Sequence, residues 1–198
     1  MEWMKTFTIG LASQSPRRQY LLQQGGFNFK LIPNEYDEIV PVGMDPHKAP
    51  EFLAIQKASH ALSLMGDCDL ILAADCVVLL GGEIIGKPRD RADAIQMLMR
   101  LSGETHSVVS GVCLLQPGRS HAFSVLSSVT FDMLSPAEIE YYVDQFHPFD
   151  KAGSYGIQDW IGWNKIVRIE GSYSNIMGLP MHETYHALQA FLTPTGIA

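Results

Sequence analysis

The chain has 198 residues, 46% of them hydrophobic and 18% charged, and a formal net charge of −7. That is enough length and apolar content for a folded domain with a buried core, and the acidic balance argues against a surface built to coat nucleic acid. No apolar run approaches the roughly 20 residues that span a bilayer, and no signal-peptide core precedes the first strand, so a cytoplasmic protein without membrane or nucleic-acid partners is expected.

The β-formers Phe7-Thr8-Ile9-Gly10-Leu11-Ala12 give way to Ser13-Gln14-Ser15-Pro16 and then to a helical pattern. Ser15 suits an N-cap and Pro16 the first helical position, where a missing N–H is tolerated. Tyr20, Leu21 and Leu22 are expected on the apolar face, and Gly25-Gly26 end the helix. A short strand over residues 28–32 runs into a polar loop, Pro33 to Lys48. The stretch APEFLAIQKASHALSLM then places Phe52, Ile55, Ala58, Leu62 and Met65 at helical spacing. DLILAADCVVLLGGEIIGKP reads as a buried strand that turns at Gly81-Gly82 and returns through Ile84-Ile85. RDRADAIQMLMRLSG is amphipathic, with Ala94, Met97, Leu98 and Leu101 inward.

Two β-rich stretches, Thr105 to Gln116 and His121 to Leu134, flank Pro117-Gly118 as a hairpin. Ser135-Pro136-Ala137-Glu138 signals another helix start, running to about Phe146. HPFDKAGSYGIQDWIGWNK is rich in glycine and aromatics, without regular periodicity, and reads as a functional loop rather than a core element. IVRIEGSYSNIMGLP gives a strand, a glycine-rich turn and the start of a last helix through Leu192. Helices and strands mix throughout, so the class is α/β with a sizeable mixed sheet.

A few side chains stand out chemically. Arg17 and Arg18 fall in the first turn of a helix, where the dipole is positive and cations are disfavoured. Either they are solvated surface residues, or they grip phosphate, because helix-start N–H groups bind anions and guanidinium matches phosphate oxygens bidentately. Asp75 is a lone carboxylate in the apolar run LAADCVV. A buried carboxylate needs compensation, so it sits at a strand end, pairs with a cation or binds metal. Cys76 beside it is filler or a nucleophile that nothing local activates, and with Cys68 and Cys113 it forms no Cys-x-x-Cys pair. Lys87 stands rigidly before a proline, and FDKAGSYGIQ offers Asp150, Lys151 and Gln158, with Tyr155 able to stack. Gln158 could read a base edge through its paired donor and acceptor. HETYH, residues 182–186, matches the zinc-peptidase pattern, yet no acidic or histidine ligand follows His186, which favours coincidence.

LASQSPRR, AADCVV, GKPRD, LSGETHSVVSGV, DKAGSYGIQ and GSYSNIMGLP then agree on a family, in family order and over nearly the whole chain. The chain resembles the Maf proteins, nucleotide pyrophosphatases that convert nucleoside triphosphates to the monophosphate and pyrophosphate. The resemblance implies one Maf-like domain over residues 1–198 with an elongated α/β fold of the Maf/ITPase-like kind: a mixed β-sheet flanked by helices, in two lobes with a cleft. It also implies a divalent metal cation, Mg²⁺ or Mn²⁺, and a homodimer. By position, Arg17 and Arg18 would grip the triphosphate, with Ser13 in the same loop. Asp75 would be the proton acceptor, with Lys87 beside it in the catalytic set. Glu38, in NEYDEIV, aligns with an acidic position that helps Asp75 hold metal. Lys57 and Lys87 match basic positions that neutralise phosphate charge, and Lys151, Gln158 and Cys76 complete the substrate-binding set.

Arg17 directly after the proline and Gln158 in YGIQ are similar to the branch that prefers dTTP and UTP, with modified pyrimidine triphosphates as further substrates in a house-cleaning role. Cys76 departs from that branch, where threonine usually follows the aspartate; a thiol keeps the size but weakens the hydrogen bond. The alternative is a nucleotide-binding regulator of septum formation or cell division with little turnover. A binding module needs no base, so Asp75 with the arginines and lysines favours catalysis.

Overall fold

The computed structural model describes residues 3–33 and 38–192. Helix α1 (Trp3–Thr6) precedes strand β1 (Thr8–Leu11), helix α2 (Pro16–Gln24) and strand β2 (Asn28–Leu31). Helix α3 (Ala49–Ala61) leads to strands β3 (Leu70–Leu80) and β4 (Glu83–Ile85) and helix α4 (Arg91–Leu101). The long strands β5 (Thr105–Gln116) and β6 (Arg119–Phe131) are followed by α5 (Pro136–Phe146), α6 (Trp160–Lys165), β7 (Ile166–Glu170), α7 (Tyr173–Met177) and α8 (Met181–Leu192).

The strands form one seven-stranded sheet in the order β2-β1-β3-β5-β6-β7, with β4 paired to β3 off this path. β1 runs parallel to β2 and β3, placing Leu11 opposite Leu31 and Leu72, whereas β4 on β3 and β7 on β6 are antiparallel. This is the mixed α/β sheet with flanking helices expected from the sequence. None of the described helices is long and apolar enough to cross a membrane.

The chain gathers into two compact units, each made of separate segments. Met1–Asp75, Ser110–Val125 and Gly178–Ala198 form the first; Cys76–Val109 and Leu126–Met177 form the second. β3, β5 and β6 each contribute residues to both, so no linker exists for the sequence to reveal.

In the first unit, α3 buries Leu53, Ala54, Lys57, Ala58 and Ala61. This stripe differs from the one expected: Ile55 is exposed, and Phe52, Leu62 and Met65 are only partly covered. Alanine wins because the helix lies very close to the sheet. Ala54, Ala58 and Ala61 share a core with Ile71, Ala73 and Cys113, and a Cβ on Gly111 would run into the backbone of Pro50 and Glu51. Long apolar side chains do not fit such a contact, so they are displaced to its rim. On α2, Leu21 and Leu22 are buried, but Tyr20 is exposed.

In the second unit, α4 buries Ala94, Leu98 and Leu101 as expected, with Met97 at the margin. The α5 start carries the full capping box, Ser135 and Glu138 each bonding the other's backbone N–H. The glycine- and aromatic-rich segment corrects the sequence reading, because much of it is core. Tyr155, Ile157 and Ile161 are buried, and α6 forms where the mixed periodicity had concealed a helix.

His106 belongs to this core. It is 2% exposed, its Nε2 lies 2.7 Å from the Tyr155 hydroxyl, and its ring meets Phe131 and Tyr155 edge-on. Burial lowers its pKa from 6.5 to about 4. The unfolded chain therefore binds the extra proton between about pH 6.5 and 4, so His106 favours the folded state fully above that window and loses its contribution as pH falls through it. Urea midpoints should decline over this range, with a His106 share of about 3 kcal/mol, and its imidazole resonances should stay neutral down to about pH 4.

Candidate functional site

The loop after β1 is built around Ser13. The Ala12 N–H donates to the Leu72 carbonyl at 2.9 Å, tying the loop to β3. Ser13, 9% exposed, accepts through Oγ from the Ser15 N–H at 3.3 Å and from Arg18 at 3.0 Å. The Arg18 Nε donates to the Gly178 carbonyl at 2.8 Å, so its guanidinium is fixed from two sides. Ser15 and Pro16 occupy the N-cap and first positions of α2 as expected, but the Ser15 hydroxyl makes no capping bond. The helix start is thus left for another acceptor, with half-buried Arg17 and Arg18 in the same turn.

β1 and β3 are parallel, and their ladder runs to Leu11 opposite Leu72. Asp75 lies three residues further on, ~10 Å along the strand. It is 7% exposed inside β3, and its Oδ1 accepts from Lys57 Nζ at 2.5 Å. The same ammonium donates to Glu38 Oε1 at 2.6 Å. Of the choices the sequence left open, the structure shows the cation partner, and it places Asp75 within the strand rather than at its end. Lys57 is itself buried, whereas the Glu38 side chain is half exposed.

Glu38 and Asp75 both bond the Lys57 ammonium, and carboxylate oxygens are hard donors of the kind that Mg²⁺ or Mn²⁺ takes, one or two at a time, together with substrate phosphates. The donor chemistry therefore fits the expected cation. Among the described residues no larger cluster of three or more histidine, cysteine or acidic ligands is assembled. Residues 34–37 of the NEYDEIV stretch lie outside the described residues.

The remaining expected residues belong to the second unit. Cys76 follows Asp75 directly, so the strand's alternation turns its thiol to the opposite face of β3. Lys87 is exposed between β4 and α4. Lys151 is largely covered, its Nζ 2.8 Å from Asp150 and 3.9 Å from Asp159. The Gln158 carboxamide oxygen is buried without a hydrogen-bond partner. Tyr155 is not a stacking platform: it is 6% exposed, its hydroxyl bonded to His106 and its ring edge-on to Phe131.

Sequence reasoning missed two contacts, one in each unit. The Gly178 carbonyl, at a glycine with φ +109°, holds Arg18. Asn175, fully buried, donates to the Val108 carbonyl at 3.2 Å and to Ser127 Oγ at 2.9 Å. GSYSNIMGLP contains both, but backbone roles leave little trace beyond the glycine. HETYH lies on α8 with His182 and His186 exposed on one face, ring centroids 4.8 Å apart. No third ligand joins them among the described residues.

Comparison with known proteins follows the same direction. The sequence profile of the Maf family, described as Maf-like protein, matches residues 8–191. A Porphyromonas gingivalis protein named dTTP/UTP pyrophosphatase is 48% identical, covering 95% of this chain and 96% of its own length. A Phocaeicola vulgatus protein of the same name is 43% identical over 96% and 98% of the two chains. The solved structure of the Staphylococcus aureus Ham1 protein overlaps 63% of this chain and 71% of its own at a TM-score of 0.43 and 16% identity, a likeness too partial to bear on the site.

Replacing Lys57 by methionine strands a buried carboxylate, and urea unfolding should show a loss of about 3–5 kcal/mol. Asp75→Asn should lose far less, because Lys57 keeps Glu38 as partner. The double variant Lys57→Met, Asp75→Leu should recover most of the loss, since it removes both charges.

Proposed function

The chain belongs to the Maf family, and on that premise we propose that it is a nucleoside triphosphate pyrophosphatase that hydrolyses dTTP and UTP to the monophosphate and pyrophosphate. The observation that supports it most is the buried Asp75 carboxylate, oriented by the Lys57 ammonium in the same unit as the Ser13–Arg18 loop. Asp75 is the group to orient and deprotonate the attacking water. Arg17 and Arg18, at the open start of α2, take the phosphates, and Lys57 offsets their charge. A divalent cation held by Glu38 and Asp75 supplies further charge neutralisation at the phosphates when bound. The leaving group is pyrophosphate, so no covalent enzyme intermediate is needed. Gln158 matches the imide edge of uracil and thymine, its free carboxamide oxygen accepting from the ring N–H.

The same reading includes modified pyrimidine triphosphates as substrates, Mg²⁺ or Mn²⁺ as cofactor, a homodimer and a cytoplasmic setting. Cys76, on the other face of β3 from Asp75, bears on base preference rather than on the water. The regulator with little turnover is less favoured, because relatives matching nearly the whole chain are named for turnover.

Pyrophosphate release should be measured from dTTP, UTP, CTP, the purine triphosphates and 7-methyl-GTP. Release from dTTP and UTP well above the others is expected, and triphosphate bound without release would turn the assignment to the regulator. Release mainly from CTP or 7-methyl-GTP would keep the reaction and discard the base preference. Chelation with EDTA should abolish turnover, and Mg²⁺ or Mn²⁺ should restore it; full activity in chelator would remove the cation from the account.

A further inference from the structure

We propose that Tyr142 is a positioning residue for base selection, acting through Gly156 and Asp159 to set the turn that carries Gln158. The inference rests on the functional reading above.

Tyr142, on α5, is fully buried, and its ring stacks on Phe146 with centroids 5.2 Å apart. Its hydroxyl serves as donor and acceptor at once. It donates to Asp159 Oδ2 at 2.8 Å and accepts the Gly156 N–H at 3.0 Å. These partners flank Ile157 and Gln158, so one phenol oxygen ties both ends of the short turn. Burial first, and the Asp159 charge next, push the phenol far above its ordinary value, which keeps its proton in place as a donor at any working pH.

Everything else around the turn is equally fixed. A side chain at Gly156 would crowd Asp159 Oδ2 at 2.5 Å and Gln158 Nε2 at 2.9 Å, and Gly162 is pressed against the Ile157 carbonyl. The Trp163 indole N–H donates to the Gln158 carbonyl at 2.9 Å, although the ring is 74% exposed. The Asp159 carbonyl accepts from the Gly162 and Trp163 N–H groups at 3.0 and 3.3 Å. Against this, the Gln158 carboxamide oxygen is buried and unpartnered. A rigid backbone that fixes where the Gln158 carboxamide stands is the arrangement that lets it distinguish a ring N–H donor, in uracil and thymine, from the acceptor nitrogen that cytosine places there. Left unpaired, the carboxamide oxygen costs about 1–3 kcal/mol, which a ring N–H donor would relieve.

The test compares UTP and CTP turnover in wild type, Tyr142→Phe, Trp163→Phe, Gln158→Ala and the double variant Tyr142→Phe, Gln158→Ala. Tyr142→Phe keeps the ring stack, and leaving the Gly156 N–H without its acceptor should lower the thermal midpoint by a few degrees without unfolding the protein. Its KM for UTP should rise about five- to tenfold with kcat within about twofold, and its UTP-over-CTP preference should fall. Trp163→Phe, which touches only the surface indole, should lower the same preference. On the Gln158→Ala background the Tyr142→Phe change should add nothing, as expected of residues acting in series. A wild-type preference retained in Tyr142→Phe, or a full Tyr142→Phe effect without Gln158, overturns the inference while leaving the pyrophosphatase reading intact. A wild-type protein that releases no pyrophosphate from UTP overturns both.

Discussion

One buried ammonium organises the first unit. Lys57 lies among alanines on the inner face of α3 and meets Asp75 in the middle of an apolar strand, with Glu38 closing the group from the more exposed side. Neither charge is tolerable there alone, because desolvation without a partner drives a carboxylate or an ammonium to neutralise or unfold the site. The two therefore hold each other in place, and the geometry of the carboxylate follows from the geometry of the helix. That geometry depends in turn on close approach: three alanines, and a glycine at position 111, let α3 settle low enough for a lysine side chain to end at β3.

The loop after β1 is placed by strand register. β1 stops at Leu11, and the chain turns through Ser13 while its parallel neighbour β3 runs on to Asp75. Ligand groups in open α/β sheets gather beyond the carboxyl ends of strands, and here the end of β1 supplies a serine hydroxyl, a helix start and two guanidiniums beside a continuing strand. Arg18 is braced by Ser13 and by the Gly178 carbonyl, which removes the freedom an arginine would otherwise lose on binding. An uncapped Ser15 and arginines in the first turn are unfavourable for the isolated helix and sensible for one that receives an anion.

Much of this was legible in the sequence, for identifiable reasons. Strand β3 with its single carboxylate, the hairpin of β5 and β6 and the Ser135 capping box all announce themselves through local chemistry that the fold then uses unchanged. Lys57 did not. Its family position named it as a phosphate-neutralising group, but nothing local signalled its burial, and Phe52 and Ile55 drew the expected stripe away from Ala54 and Ala61. Tyr155 looked like a ligand platform because it stands among glycines, yet it fills the core with His106. The Tyr142–Asp159 contact joins residues 17 positions apart across an irregular segment, and no periodicity encodes such a pair. The segment boundaries of the two units were equally hidden, since each unit is assembled from segments that the sequence separates.

If the Lys57-held carboxylate is the base, removing its charge should end catalysis without unfolding the protein. The direct measurement is single-turnover pyrophosphate release from UTP by Asp75→Asn, made alongside its urea midpoint. The rate should fall about a thousandfold, within the range general-base removal produces, while the midpoint stays close to that of wild type. A folded Asp75→Asn protein that still turns over UTP within about tenfold of the wild-type rate would contradict the assignment of Asp75 as that base.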